Sequence, residues 1–354
     1  MDREIVVVSG SYGAGHDAAA DALTEQLCSR GHVVRRLDVA DELPWRIGAL
    51  LRWLYFTQLR LAPGTWGTTV DRFERDGWAF RTARTLLGLL GRRLARAVSG
   101  ADLVLSTHMF ASQALGEARR RGDLGVPVVT YLTDASVQRM WVHEAVDLHL
   151  AIHDLAAGQA RRLGGRTAVV RPAVPTSPTA PDGWTPPWRP DRPAALVVGG
   201  SCGVGQLEAS AQDVLATGLM TPVVACGTNH RLREHLATVP GVVALGWRDD
   251  MAALVAAAAC VIQNAGGMTS LESLAAGTPT LTYRPIPGHG TTNAQALESA
   301  GLVPWPVDVH QLQVALAGVL GPAGPLHLPA DAPCVLDVLE QQLLVAPPTV
   351  LVAA

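Results

Sequence analysis

Short, wholly apolar runs recur along this chain, most of them ending at Gly, Ser or Asn, and most are followed by a stretch with apolar residues three and four apart. In the first half, Ile5–Ser9 has the length and composition of a strand buried on both faces, and Val33–Val39, Ala101–Ser106 and Pro127–Leu132 also read as strands. In the second half the same holds for Ala194–Val198, Pro222–Cys226, Val242–Leu245, Cys260–Ile262 and Thr280–Tyr283. Helical periodicity predicts helices over about 17–30, with Ala19, Leu23 and Leu27 on one face, and over about 79–98, 206–215, 268–276, 307–320 and 332–344. Strands alternating with helices predict an α/β protein built on parallel sheets. The proline-rich run 172–193 can continue neither a helix nor a central strand. It divides the chain into a domain over 1–171, a linker over 172–193 and a domain over 194–330. A last helix and tail occupy 331–354.

Composition narrows the function. The chain has 354 residues, enough for two domains of ordinary size. It is 48% hydrophobic and 17% charged, with a net charge of −3, so it is globular and shows no sign of a nucleic-acid partner. Every basic residue other than His is Arg, which excludes a Schiff-base lysine and, with the abundant Ala, Gly and Pro, suggests a high-GC genome of the actinobacterial kind. The five cysteines are scattered and lack metal-ligand spacing, so reduced thiols in a cytoplasm are expected, and no metal site is expected. The first residues enter a strand without the shape of a signal peptide, and no apolar run reaches the length of a membrane span. The run 43–61 differs from the rest. There Trp45, Trp53, Tyr55 and Phe56 are interleaved with Arg46, Arg52 and Arg60, which fits either a peripheral membrane contact or a partly buried helix.

The chemistry gathers at strand ends. After Cys260–Ile262 come Gly266 and Gly267, then the predicted helix from Met268. Paired glycines before a helix allow close approach of a ligand, and the helix start offers N–H groups and positive potential to a phosphate. Thr269 adds a hydroxyl, and Glu272, one turn on, can accept from a ribose diol. A loop over 285–293, with the next helix expected near Asn293, carries His289, Gly290 and Asn293 towards whatever is joined to the phosphates. A second glycine turn, with Gly200 and Ser201, follows Ala194–Val198. A third turn, Gly227–Asn229, follows the next strand, and Trp247 and Arg248 follow Val242–Leu245. In the first half, SGSYGAGH ends in His16 at a helix start beside Gly13 and Gly15. An imidazole there can act as a general base in the cleft or cap its own helix. Asp134 and His108 also follow strand ends. Asp134 is read as orienting His16, binding an acceptor or capping its loop, and His108 as lining the acceptor side. Asp249 and Asp250 read as a helix N-cap and not as metal ligands.

The run from Val261 to Gly301 resembles the nucleotide-sugar site of the monogalactosyldiacylglycerol synthases and the bacterial diacylglycerol glucosyltransferases, and more distantly that of the peptidoglycan-precursor N-acetylglucosaminyltransferase. The GxGH of Gly13, Gly15 and His16, the run from Thr133 to Asp154 and the turn Cys226–Asn229 extend the resemblance over most of the chain. It implies a GT-B fold, in which two Rossmann-like domains face a cleft, with a last helix packing back across the interface. It implies an inverting, metal-free transfer of a hexose from a UDP-sugar co-substrate, with no other cofactor. His16 then takes the place of the base, Gly15 lies near the donor, and Trp247 and Arg248 lie beside the uracil. The run 43–61, with Trp53, adjoins a lipid acceptor groove. The acceptor stays open between a diacylglycerol-like lipid and a soluble specialised metabolite. Where the relatives continue the PG turn with Gln and Glu, this chain has His289 and Gly290, which leaves the donor sugar open. A UDP-sugar sensor without transfer and a sugar-nucleotide 2-epimerase are the alternatives.

Overall fold

In a computed structural model, residues 2–11, 14–42, 48–50, 53–54, 57–58, 72, 77–174, 180, 183–189, 192–264, 266–321 and 331–344 are described. The N-terminal unit is a six-stranded, all-parallel sheet in the order β2-β1-β3-β4-β5-β6. Its strands are β1 (Glu4–Ser9), β2 (Val33–Asp38), β3 (Leu103–Ser106), β4 (Val128–Tyr131), β5 (Leu148–Ala151) and β6 (Thr167–Val169). The C-terminal unit is a five-stranded parallel sheet in the order β11-β10-β7-β8-β9. Its strands are β7 (Ala194–Val198), β8 (Thr221–Ala225), β9 (Val243–Leu245), β10 (Cys260–Gln263) and β11 (Thr280–Thr282). The apolar runs are the strands because both faces of each sheet are covered by helices, so neither face needs polar residues. Alternate residues of one strand feed opposite cores. Ile5 and Val7 pack on one face of the first sheet, and Val6 and Val8 on the other.

Both sheets change winding direction once, between β1 and β3 and between β10 and β7. At such a point the flanking helices depart to opposite faces and leave a crevice beyond the carboxyl ends of the strands. The two crevices face each other. An apolar seam joins the units, in which Leu23 and Leu27 of the helix Ala14–Ser29 pack with Met268, Leu271 and Leu297 from the second unit. The helix Val335–Gln342 returns to the N-terminal unit, where Val335 and Leu339 join the same core and Arg171 N donates to Pro333 O at 2.9 Å. The run 172–193 is held at both ends: Ala173 N donates to Tyr131 OH at 2.8 Å in the first unit, while Trp188 is buried in the second, where Trp184 Nε1 donates to Asp250 at 2.7 Å.

Local details near the cleft differ from the sequence reading. The helix expected near Asn293 begins at His289, because Gly288, with φ 86°, supplies the left-handed residue that ends the preceding turn. Asp250 does occupy an N-cap position, but its carboxylate is taken by Arg248 and Trp184 and not by its own helix.

The first sheet also buries an imidazole in neutral form. His149, on β5, uses both ring nitrogens: Nδ1 meets Arg166 O at 3.2 Å and Nε2 accepts from His143 N at 3.4 Å. Burial lowers its pKa from 6.5 to about 4. The unfolded chain therefore takes up this proton as pH falls through 6.5, and the folded chain only near 4. Stability is lost across that window, by roughly 3 kcal/mol for this residue. A series of thermal melts from pH 7 to pH 4 should show that loss, and His149→Gln should flatten it. A slope equal in variant and wild type would refute the assignment.

Candidate active site

His16 lies in the first turn of the helix Ala14–Ser29, directly beyond β1. Its Nδ1 is 3.1 Å from Thr107 O and 3.0 Å from Thr133 Oγ1, and Thr107 Oγ1 donates to His16 O at 3.1 Å. A carbonyl can only accept, so Nδ1 carries the proton and Nε2 is left as the basic nitrogen. The ring stands edge-on to His108, with centroids 4.7 Å apart, and 5.8 Å from the Trp141 ring. Burial lowers the His16 pKa, and the Asp134 charge opposes that shift. Asp134 spends its hydrogen bonds elsewhere. Its Oδ2 accepts from Trp141 Nε1 at 3.0 Å and its Oδ1 from Asn293 Nδ2 at 3.3 Å. The orienting of His16 thus falls to Thr107 and Thr133, and Asp134 acts on it through charge.

The second unit supplies the opposite wall. Gly266, at φ 72°, turns the chain from β10 into the helix Met268–Ala275, and Gln263 Oε1 accepts the Gly266 N–H. Gly267 holds the N-cap position, and no side chain caps the helix. The loop after β7 is tied to this turn by Asn264 Nδ2, which donates to Val204 O at 2.8 Å. The two glycine turns are therefore one structure, with the uncapped N-terminus of a helix as its floor. Such a floor suits an anion. Glu272 faces the same space with no hydrogen-bond or ionic partner among the described residues, and burial raises its pKa.

Between the walls is a cleft of about 390 Å³. From the first unit it is lined by Gly15, His16 and Asp134, and from the second by Gly200, Ser201, Trp247 and Arg248. Gly266, Gly267, Met268, Thr269, Glu272 and His289 complete that second wall. Gly15 packs closely across the interface: a Cβ there would stand 3.3 Å from the Met268 side chain. Burial also lowers the pKa of His289, which stands within reach of the Asp134 and His16 charges. Arg248 is locked to Asp250, and Trp247 Nε1 donates to Asp249 at 2.9 Å, so the exposed indole is held at the cleft mouth.

Several expected site residues lie elsewhere. His108 does not line the cleft. It is buried behind His16 and caps the helix Met109–Arg121, with Nδ1 accepting from Phe110 N at 3.2 Å. Burial and the His16 charge hold its pKa well below the ordinary value. Asn229 is the N-cap of the helix His230–Leu236, accepting from Leu232 N at 3.1 Å. Gly290 and Asn293 are buried in the helix His289–Ser299, outside the lining. Trp53 is 62% exposed and away from the cleft lining; most of 43–61, like Gly13, lies outside the described residues. Thr107, Thr133, Trp141 and Asn264 complete the site, although no local pattern in the chain marks them as site residues. Among the described residues no group of His, Cys, Asp and Glu is arranged to hold a metal ion, and no helix is long and apolar enough to cross a membrane.

No family model matches the chain. A processive diacylglycerol β-glucosyltransferase of Bacillus subtilis is 23% identical over 321 residues, covering 85% of this chain and 82% of the relative. Among solved structures, the glycotransferase of kitacinnamycin superposes with a TM-score of 0.56 at 15% identity, and MurG of Acinetobacter baumannii with 0.51 at 18%, each covering 91% of both chains. The fold is thereby shown: two parallel Rossmann-like units facing a cleft, the GT-B glycosyltransferase fold.

Proposed function

We propose that this GT-B chain is an inverting glycosyltransferase that moves a hexose from a UDP-sugar to the hydroxyl of a diacylglycerol-like lipid, with no cofactor beyond the donor. The observation that carries this reading is the pairing across one cleft of a tautomer-fixed imidazole with an uncapped helix N-terminus. The first can take a proton from an acceptor hydroxyl through Nε2. The second can hold the diphosphate and stabilise the charge that grows on it as the sugar leaves. A base on one side of the anomeric carbon and the leaving group on the other give inversion. Glu272 receives the ribose diol and Trp247 the uracil edge of the cleft. The lipid acceptor follows the activity for which the Bacillus subtilis relative is named, a protein the chain covers over most of its length.

The test is in two steps. In a thermal-shift panel, UDP and one UDP-sugar should raise the melting temperature, while GDP compounds should not, because a ligand that binds only the folded state stabilises it by mass action. The preferred donor is then supplied with dioleoylglycerol in mixed micelles, and glycolipid is measured. No shift with any uridine nucleotide would overturn the donor site. Transfer to soluble alcohols but not to dioleoylglycerol would overturn the lipid acceptor.

The electrostatics give a pH signature. The Asp134 charge raises the His16 pKa against the larger lowering by burial. Asp134→Asn removes the raising influence, so the acidic limb of the rate profile should move to lower pH while the maximal rate falls. A limb that stays in place, or moves up, would separate Asp134 from His16.

A further inference from the structure

Asn293 is fully buried, yet it belongs to neither wall of the cleft. It sits where the two units meet. Its Oδ1 accepts from Ser136 N at 2.9 Å and from Ser136 Oγ at 2.6 Å, a residue 157 positions away in the other unit. A backbone N–H can only donate, so the oxygen end of the amide is fixed on Ser136. The Nδ2 end is thereby turned to Asp134, whose Oδ1 it meets at 3.3 Å. The other Asp134 oxygen is held by Trp141, from its own unit, at 3.0 Å. Asn293 also backs the phosphate-facing turn. A Cβ built on Gly266 would stand 2.7 Å from the Asn293 Cβ, so the turn packs closely against the base of this side chain.

One residue therefore packs against the turn that faces the anion and hydrogen-bonds the loop that carries Asp134. We propose that Asn293 is a positioning residue that sets the Asp134 carboxylate towards His16 across the contact between the two units. Without this amide Asp134 loses one of its two hydrogen bonds, and Trp141 alone does not fix the carboxylate plane. His16 in turn loses the charge that supports its protonation during transfer. Thr292 Oγ1, 3.1 Å from Ser136 Oγ, bridges the same units without touching Asp134 and serves as the control. This inference rests on His16 being the base, but not on the identity of donor or acceptor.

The decisive experiment follows the His16 imidazole by NMR in the ligand-free full chain carrying ¹⁵N-labelled histidine, with the resonance assigned by its loss in His16→Ala. The charged and titratable groups acting on this ring are Asp134, Asp17 and His108, with His289 facing it from the second unit. Asn293→Ala should lower the His16 pKa in the same direction as Asp134→Asn, and the double variant should add nothing further. Asn293→Leu, which keeps the volume and removes all three of these hydrogen bonds, should do the same and guards against a folding defect in the Ala variant. Thr292→Ala should leave the titration where it is. In the transfer assay, Asn293→Ala should lower kcat about 10-fold or more with little change in donor KM, as expected for loss of a hydrogen bond to a charged group. An unchanged His16 titration in a folded Asn293 variant overturns the proposal. So does an equal shift in Thr292→Ala, which would make the effect one of general interface packing. A wild type that transfers no sugar would count against the glycosyltransferase reading and leave the NMR result to decide on Asn293.

Discussion

His16→Ala should lower glycosyl transfer by about 10³-fold while UDP binds as tightly as before, because a positioned base contributes on the order of 10²- to 10⁴-fold. The split follows from where the residue stands. Its ring lies on the wall opposite the helix Met268–Ala275, so its removal leaves the diphosphate site whole. Thr107 and Thr133 hold Nδ1, so Nε2 is the nitrogen that faces the reaction. Initial rates with the preferred UDP-sugar, beside calorimetric titration with UDP, read both quantities on the same preparation. A rate within a few-fold of wild type would remove His16 from the mechanism. A parallel loss of UDP affinity would instead make it part of the donor site.

Glu272→Ala should weaken UDP by about 10- to 100-fold, the usual effect of losing hydrogen bonds to a charged group. In the structure the carboxylate faces the cleft without a partner among the described residues, and burial already raises its pKa. An enclosed carboxylate with nothing to accept from is costly unless a ligand supplies the donors. A ribose diol does so. The sharper form of the prediction compares UDP with 2′-deoxy-UDP: the wild type should favour UDP, and Glu272→Ala should bind the two alike. Should the variant keep the full preference, the diol is read elsewhere. Glu272→Gln retains an acceptor oxygen without the charge and should fall between.

Much of the molecule is legible in the sequence because its signals are local. A short apolar run that ends at a glycine turn reads as a buried strand, and a Gly pair followed by a 3.6-residue period marks a strand-to-helix turn. The positions of His16, Gly266, Gly267, Thr269 and Glu272 beyond strand ends follow from such signals, and all five line one cleft. Asn229 is locally legible too, as an Asn before a helix, and it is an N-cap. The resemblance to nucleotide-sugar enzymes points to a donor contact there, and in the fold its side-chain oxygen accepts from Leu232 N at 3.1 Å.

The sequence alone thus determined most of the strands (though not Leu148–Ala151 or Thr167–Val169), the glycine turns and the residue types offered at their ends, since each depends on neighbours within about four positions. Only the tertiary structure decided what those residues face. Whether His108 lines a cleft or caps a helix depends on the ring of His16, far back in the chain, standing edge-on in front of it. Which His16 nitrogen is basic depends on the carbonyl of Thr107, and the setting of Asp134 depends on an amide from the other unit. Hydrogen bonds across such separations leave no periodicity in the chain. They exist only because two sheets, each switching direction once, bring their crevices face to face.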